Sequence, residues 1–195
     1  CKQYNAFLIV DEAHAVGVFN KNGCGLVQEL QLQNDVFARI ITFGKAIGCH
    51  GAAILGNQDL QNYLVNFARS FIYTTGLTPH SLATIRISYN EMQKQFQHNN
   101  NNLSKNIQFF TSEIEKLGLK ELFIESNSAI HCCVISGNEK VKAISKKLKE
   151  KGFDVKAIVS PTVPENKERL RFCLHAYNST KEITDVLKNL ATFVK

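Results

Sequence analysis

Phe7-Leu8-Ile9-Val10-Asp11-Glu12-Ala13-His14 is the stretch from which the rest of the chain is read, together with Thr42-Phe43-Gly44-Lys45 further on. Phe7 to Val10 is an unbroken apolar run with β-branched members. Such a run predicts a strand covered on both faces, as in a parallel sheet. It leads directly into two carboxylates and a histidine. Ile40-Ile41-Thr42 predicts a second short strand, and it ends at Gly44-Lys45. Ligands of open α/β sheets bind beyond the carboxyl ends of strands, so both strand ends are candidate site positions.

The chain around these strands has 195 residues, 44% of them hydrophobic. That is enough for one large or two small domains with a real core. No apolar run approaches the roughly 20 residues needed to span a bilayer. No signal peptide is visible. The net charge of +6, from 23 Lys and Arg against 17 Asp and Glu, suits phosphorylated ligands. No aromatic-basic recognition motif accompanies it, which argues against nucleic acid. Cys1, Cys24, Cys49, Cys132, Cys133 and Cys173 form no C-x-x-C pair. They predict reduced, mostly buried thiols in a cytoplasmic protein. The chain does not begin with Met and opens a few residues before a strand, so the expectation is a portion of a longer protein.

Residues 17–30, with Gly23 and Gly25, read as a loop. Residues 52–55 predict a third strand. Residues 58–70 carry Leu60, Leu64, Val65 and Phe67 at near-helical spacing. Residues 71–77 read as an extended, hydroxyl-rich segment. Thr78 then serves as N-cap and Pro79 as the first turn of a helix running to about Phe96. The polar run 98–102 is the expected domain boundary or helix break, which divides the chain into 1–97 and 98–195. Beyond it, helices are expected over 103–117, 138–151 and 180–194, with strands over 130–135, 153–158 and 170–174. That order predicts a compact α+β subdomain.

A carboxylate at one strand end and a lysine at the next are the pair that pyridoxal phosphate (PLP) requires. The lysine forms the Schiff base and the carboxylate pairs with the pyridinium nitrogen. Asp11-Glu12-Ala13-His14-Ala15-Val16-Gly17, Thr42-Phe43-Gly44-Lys45-Ala46-Ile47-Gly48 and Gly51-Ala52-Ala53-Ile54-Leu55-Gly56 resemble the α-oxoamine synthases. These are PLP enzymes of the aspartate-aminotransferase fold. The likeness continues through Phe71-Ile72-Tyr73-Thr74-Thr75-Gly76-Leu77 and Ser160-Pro161-Thr162-Val163-Pro164 to Arg169-Leu170-Arg171. The resemblance implies an α/β chain, with 1–97 as the end of the large PLP-binding sheet domain and 98–195 as a small C-terminal α+β domain. It also implies an N-terminal half upstream of Cys1, without which the 7–10 strand would be left with open faces. The activity it implies is a decarboxylative condensation of L-alanine with pimeloyl-CoA or a pimeloyl carrier protein, in a homodimer whose active site is shared across the interface. Glycine with an acetyl donor is the alternative.

By the same resemblance, Asp11 pairs with the pyridine nitrogen, His14 hydrogen-bonds the cofactor's phenolic oxygen, and Lys45 forms the Schiff base. Thr42 gives its hydroxyl to the phosphate, and Thr74 and Thr75 reach the phosphate of the neighbouring subunit's cofactor. Thr162 matches a substrate-contacting position, and Arg171 the arginine that grips the amino-acid carboxylate, a geometry guanidinium suits. Arg169 shares the strand face of Arg171 and competes for that role. Glu12 reads as structural. From the residues themselves, Lys45 in a largely apolar loop argues for a desolvated, reactive amine. One departure from the family is Val159-Ser160-Pro161, where many synthases carry an arginine. The lysines of 138–151 read as a solvated helix face. Asp-Glu-Ala-His after an apolar strand is also the magnesium-binding motif of one helicase group. That reading needs a P-loop; here Ala46 follows Gly44-Lys45 and Arg39 stands where the first glycine belongs.

Overall fold

Ile9–Asp11 forms β1 of the computed structural model, shorter than the apolar run and shifted towards the acids. β1 pairs in parallel with β2, Ala38–Thr42, so that Asp11 lies opposite Ile40. β3, Ala52–Gly56, returns antiparallel to β2 with Ala52 opposite Thr42. The structure describes residues 1–194, the side chains of 96–100 excepted. The helix end expected near Phe96 and the break expected at 98–102 are absent, because helical backbone runs unbroken from Pro79 to Lys116: a polar run lowers the apolar signal without breaking the backbone hydrogen bonds. The chain divides into two compact units, Cys1–His98 and Asn99–Lys195.

In the first unit the sheet has order β1-β2-β3. Paired residues share a face, and neighbours along a strand alternate. Arg39, Ile41 and Ala53 therefore point to one side, and Asp11, Ile40, Thr42 and Ile54 to the other. The first side is covered. Val16, Ile41, Phe43, Ile47 and Ile85 form a buried core, with Tyr89 and Met92 packed against it. The second side is open: Ile9 is 58% and Ile54 53% exposed. The expectation of a first strand buried on both faces is therefore wrong for this chain. An apolar run specifies a strand but not what covers it.

Helices close the unit. The loop read over 17–30 contains a short helix, α1, Leu26–Glu29. α2 is Gln58–Phe67, capped by Asn57, whose side chain accepts the Leu60 amide at 2.9 Å. Ala68 leaves helical geometry, and α3, Arg69–Ile72, follows. The segment expected to be extended from Phe71 thus begins inside a helical turn. α4, Pro79–Lys116, starts where Thr78 accepts the Ser81 amide at 3.3 Å.

The second unit holds β4 (Phe123–Ile124), β5 (Ile130–Val134), β6 (Lys156–Ile158) and β7 (Arg169–Cys173), all antiparallel, in the order β4-β5-β7-β6. β4 is too short to show a period, and the sequence reading missed it. α5 is Asn138–Glu150 and α6 is Thr180–Val194. At the start of α6, Ser179 and Glu182 exchange hydrogen bonds with each other's amides, a capping box. Its apolar stripe, Ile183, Val186, Leu187 and Leu190, is buried as the spacing predicts. The core is Phe110, Val141, Leu148, Leu170, Leu187 and Leu190, and the Phe110 ring packs on Phe123, His131 and Phe172.

The cysteines are all free, but only Cys133 is buried; Cys1, Cys24 and Cys173 are exposed. The expectation of mostly buried thiols fails because alternation puts Cys132 and Cys173 on the outer face of their strands. No helix among the described residues is long and apolar enough to cross a membrane.

Leu187 is fully buried in a core of large side chains. Leu187→Ala is expected to destabilise the second unit by about 2–5 kcal/mol through lost burial and an incompletely collapsed cavity. Urea unfolding followed by circular dichroism measures this.

Candidate active site

The parallel pairing brings the carboxyl ends of β1 and β2 to one edge of the sheet. Asp11 and Thr42 stand there on the same face, one strand apart. Asp11 Oδ1 accepts the Ala13 amide at 2.9 Å. Its other oxygen has no hydrogen-bond partner among the described residues. That local bond turns the chain so that His14, three residues on, lies exposed in the turn that follows. The Ala15 and Val16 amides both donate to the Glu12 carbonyl and set this turn.

Lys45 comes from the short connection between β2 and β3. The Phe43 amide donates to Gly51 and the Cys49 amide to Phe43, which holds the two strands together at its base. The Gly48 amide donates to the Lys45 carbonyl and closes the turn. Lys45 is exposed, so the argument from a desolvated amine is corrected: the loop is apolar in composition, but Ile47 alone of its middle turns inward. Lys45 Nζ reaches Thr42 Oγ1 at 3.5 Å. Carboxylate, hydroxyl and ammonium therefore line up along one sheet edge.

The two loops are also in direct contact. Gly17 adopts φ +78°, and a Cβ there would overlap the Ala46 side chain. Only a glycine lets the His14 loop lie against the Lys45 loop. A planar, anionic, aldehyde-bearing cofactor matches this donor set: an acid for a ring nitrogen, a hydroxyl for a phosphate, and an amine for the aldehyde.

Thr74 and Thr75 follow α3. The Thr74 hydroxyl donates to the Ser70 carbonyl at 2.6 Å, so its proton is committed within its own turn. Thr75 has no such bond among the described residues. Glu12, read as structural from the sequence, is only 1% exposed and forms an ion pair with Arg39, to which the sequence reading gave no role. Arg39 was the available signal, because a cation inside an apolar strand demands a partner.

Thr162 and Arg171 belong to the second unit. Thr162 is exposed in the turn after Ser160-Pro161. On β7, Arg169 Nε donates to the Lys167 carbonyl at 2.9 Å. Arg171 lies between Cys132 and Lys156 on the neighbouring strands. Its Nε is buried without a hydrogen-bond partner among the described residues. The two arginines thus differ: Arg169 Nε is satisfied internally and Arg171 Nε is not. Among the described residues no group of three or more His, Cys, Asp or Glu side chains could hold a metal ion.

Residues 1–190 match the family described as aminotransferase class I and II. The 8-amino-7-oxononanoate synthase of Emericella nidulans is 40% identical over 98% of this chain and 47% of its own length. That of Lysinibacillus sphaericus is 32% identical over 97% of this chain and 48% of its own. The crystal structure of 8-amino-7-oxononanoate synthase from Francisella tularensis superposes with a TM-score of 0.84 at 31% identity, covering 95% of this chain and 54% of that one. Serine palmitoyltransferase from Sphingomonas wittichii superposes with a TM-score of 0.86 at 24% identity, a likeness of fold. The chain spans about half the length of the relatives it matches.

A buried donor left without a partner costs about 1–3 kcal/mol. Arg171→Met is therefore expected to leave the thermal unfolding midpoint unchanged or raise it, whereas a residue that served the fold would lower it. Calorimetry of the two proteins in parallel decides between the two.

Proposed function

The chain belongs to the class I and II aminotransferase family, and from that premise we propose that the protein is a PLP-dependent α-oxoamine synthase that condenses L-alanine with a pimeloyl thioester, releasing carbon dioxide and 8-amino-7-oxononanoate. The observation that carries the proposal is the alignment of Asp11, Thr42 and Lys45 along one sheet edge, with the Lys45 amine at 3.5 Å from the Thr42 hydroxyl. The relatives named 8-amino-7-oxononanoate synthase support the choice within the family.

In this reading residues 1–97 supply the cofactor site and 98–195 the small domain. Bound PLP supplies an electron sink for a carbanion at the amino-acid Cα. Asp11 keeps the proton on the ring nitrogen through its unshared carboxylate oxygen. Thr42 gives its hydroxyl to the phosphate, and His14 a hydrogen bond to the phenolic oxygen. Lys45 is the attachment point and afterwards the base that takes the Cα proton. Thr75, with its hydroxyl uncommitted, is the better of the two threonines for the phosphate of the partner subunit's cofactor in a homodimer. Arg171, whose Nε is unsatisfied, is preferred to Arg169 for the substrate carboxylate. The acyl group arrives on coenzyme A or on a carrier protein.

In the full-length protein, borohydride reduction with PLP present is expected to label Lys45, and Lys45→Ala to abolish turnover. A label on another lysine with Lys45 unmodified would refute the assignment. Steady-state rates with alanine and a pimeloyl donor should exceed those with glycine and an acetyl donor; the reverse preference identifies a different synthase of the family.

Asp11→Asn is expected to retain PLP and to lose about a thousandfold in kcat, ~4 kcal/mol of transition-state stabilisation, because an amide cannot hold the ring proton. Near-normal turnover of this variant would remove Asp11 from the mechanism.

A further inference from the structure

The Glu12 side chain leaves the sheet on the face opposite Asp11 and ends in a sealed site. Its Oε1 accepts the Val27 amide at 2.8 Å, and its Oε2 meets both Nε and Nη2 of Arg39. Arg39 Nη2 also donates to the Cys24 carbonyl at 2.7 Å. Gly25 closes the site: at φ +102°, a Cβ there would stand 2.7 Å from Glu12 Oε1. The pair thus ties the 17–27 loop to β2.

The backbone of Glu12 is fixed as firmly. Its amide donates to the Ile40 carbonyl at 2.8 Å and extends the parallel ladder beyond Asp11. Its carbonyl accepts the Ala15 and Val16 amides. Glu12 therefore lies between Asp11 and His14 with its main chain held by β2 and by the turn, and its side chain held by Arg39 and α1. The Asp11 and His14 side chains are both exposed, whereas that of Glu12 is buried.

We propose that Glu12 and Arg39 are positioning residues of the active site. Their buried ion pair fixes the height and direction of the Asp11 carboxylate and of the turn that carries His14. The proposal rests on the functional reading above and deepens it. Neither residue touches the cofactor; they act through Asp11 and His14. A buried pair of this kind contributes orientation more than stability, and an acid that must meet one ring nitrogen needs orientation.

The test uses the full-length protein with saturating PLP. Glu12→Gln keeps an acceptor for Val27 but removes the charge facing Arg39. It is expected to retain borohydride labelling at Lys45 and to lose at least roughly tenfold in kcat, with KM changed less than about twofold. The visible circular dichroism of the bound cofactor should fall, reporting a ring less firmly oriented. In the Asp11→Asn background the same substitution should cost less than about threefold, since both act at one group. Glu12→Gln/Arg39→Gln removes both charges; it should recover the wild-type unfolding midpoint without recovering kcat, and it serves as the readout where the single variant does not fold.

Wild-type kcat and wild-type dichroism in Glu12→Gln, or in the double variant, would overturn the proposal. So would a loss fully additive with Asp11→Asn. Absence of a Lys45 label in the wild type would overturn the functional reading, and this proposal with it. A wild type labelled at Lys45 beside an unaffected Glu12→Gln would overturn the positioning role alone.

Discussion

The hydrogen bond from the Glu12 amide to the Ile40 carbonyl, 2.8 Å long, is the last rung of the parallel pairing of β1 with β2. That register decides the chemistry of the sheet edge. Because side chains alternate, a slip of one residue would send Asp11 into the buried side and Glu12 onto the open face. The slip is opposed from both sides. Ile41 belongs to the core and cannot be turned outward without losing its burial, and Arg39 has its carboxylate only in the observed register.

The ion pair joins two requirements that would otherwise be independent. Arg39 is a strand residue, and Glu12 directly follows the strand-end carboxylate Asp11. Burial makes their mutual attraction strong and the loss of either partner costly. The same carboxylate orders the glycine-bearing loop by accepting the Val27 amide. Sheet register, loop conformation and acid placement are thereby determined together.

Much of this could be read from the sequence, and the failures have physical reasons. The placing of Asp11, Thr42 and Lys45 at neighbouring strand ends was legible because each ends or follows a short apolar run. The stripe of α6 was legible because four buried residues recur at helical spacing. Burial was less legible. Phe7 and Ile9 are apolar yet exposed, since composition does not say which partner covers a strand. Lys45 sits in an apolar loop yet is exposed, since a tight turn directs its residues both inward and outward. Glu12 was read as merely structural because its partner lies 27 positions away, beyond the reach of any local pattern. α1 and β4 are too short to show a period.

The connection between β2 and β3 carries Lys45 on a tight turn closed by its own neighbours. Contacts between residues close in sequence cost little chain entropy to form, and those far apart cost more. The turn that presents the amine is therefore a local product of the chain, available as soon as two adjacent strands meet. The acid is different: β1 reaches β2 only after an intervening stretch with one four-residue helix has been gathered in. During folding, the amine's turn can be complete while the acid's place on the sheet is still unmade. The order in which the two halves of the candidate site become available is thus written into the connectivity of three strands.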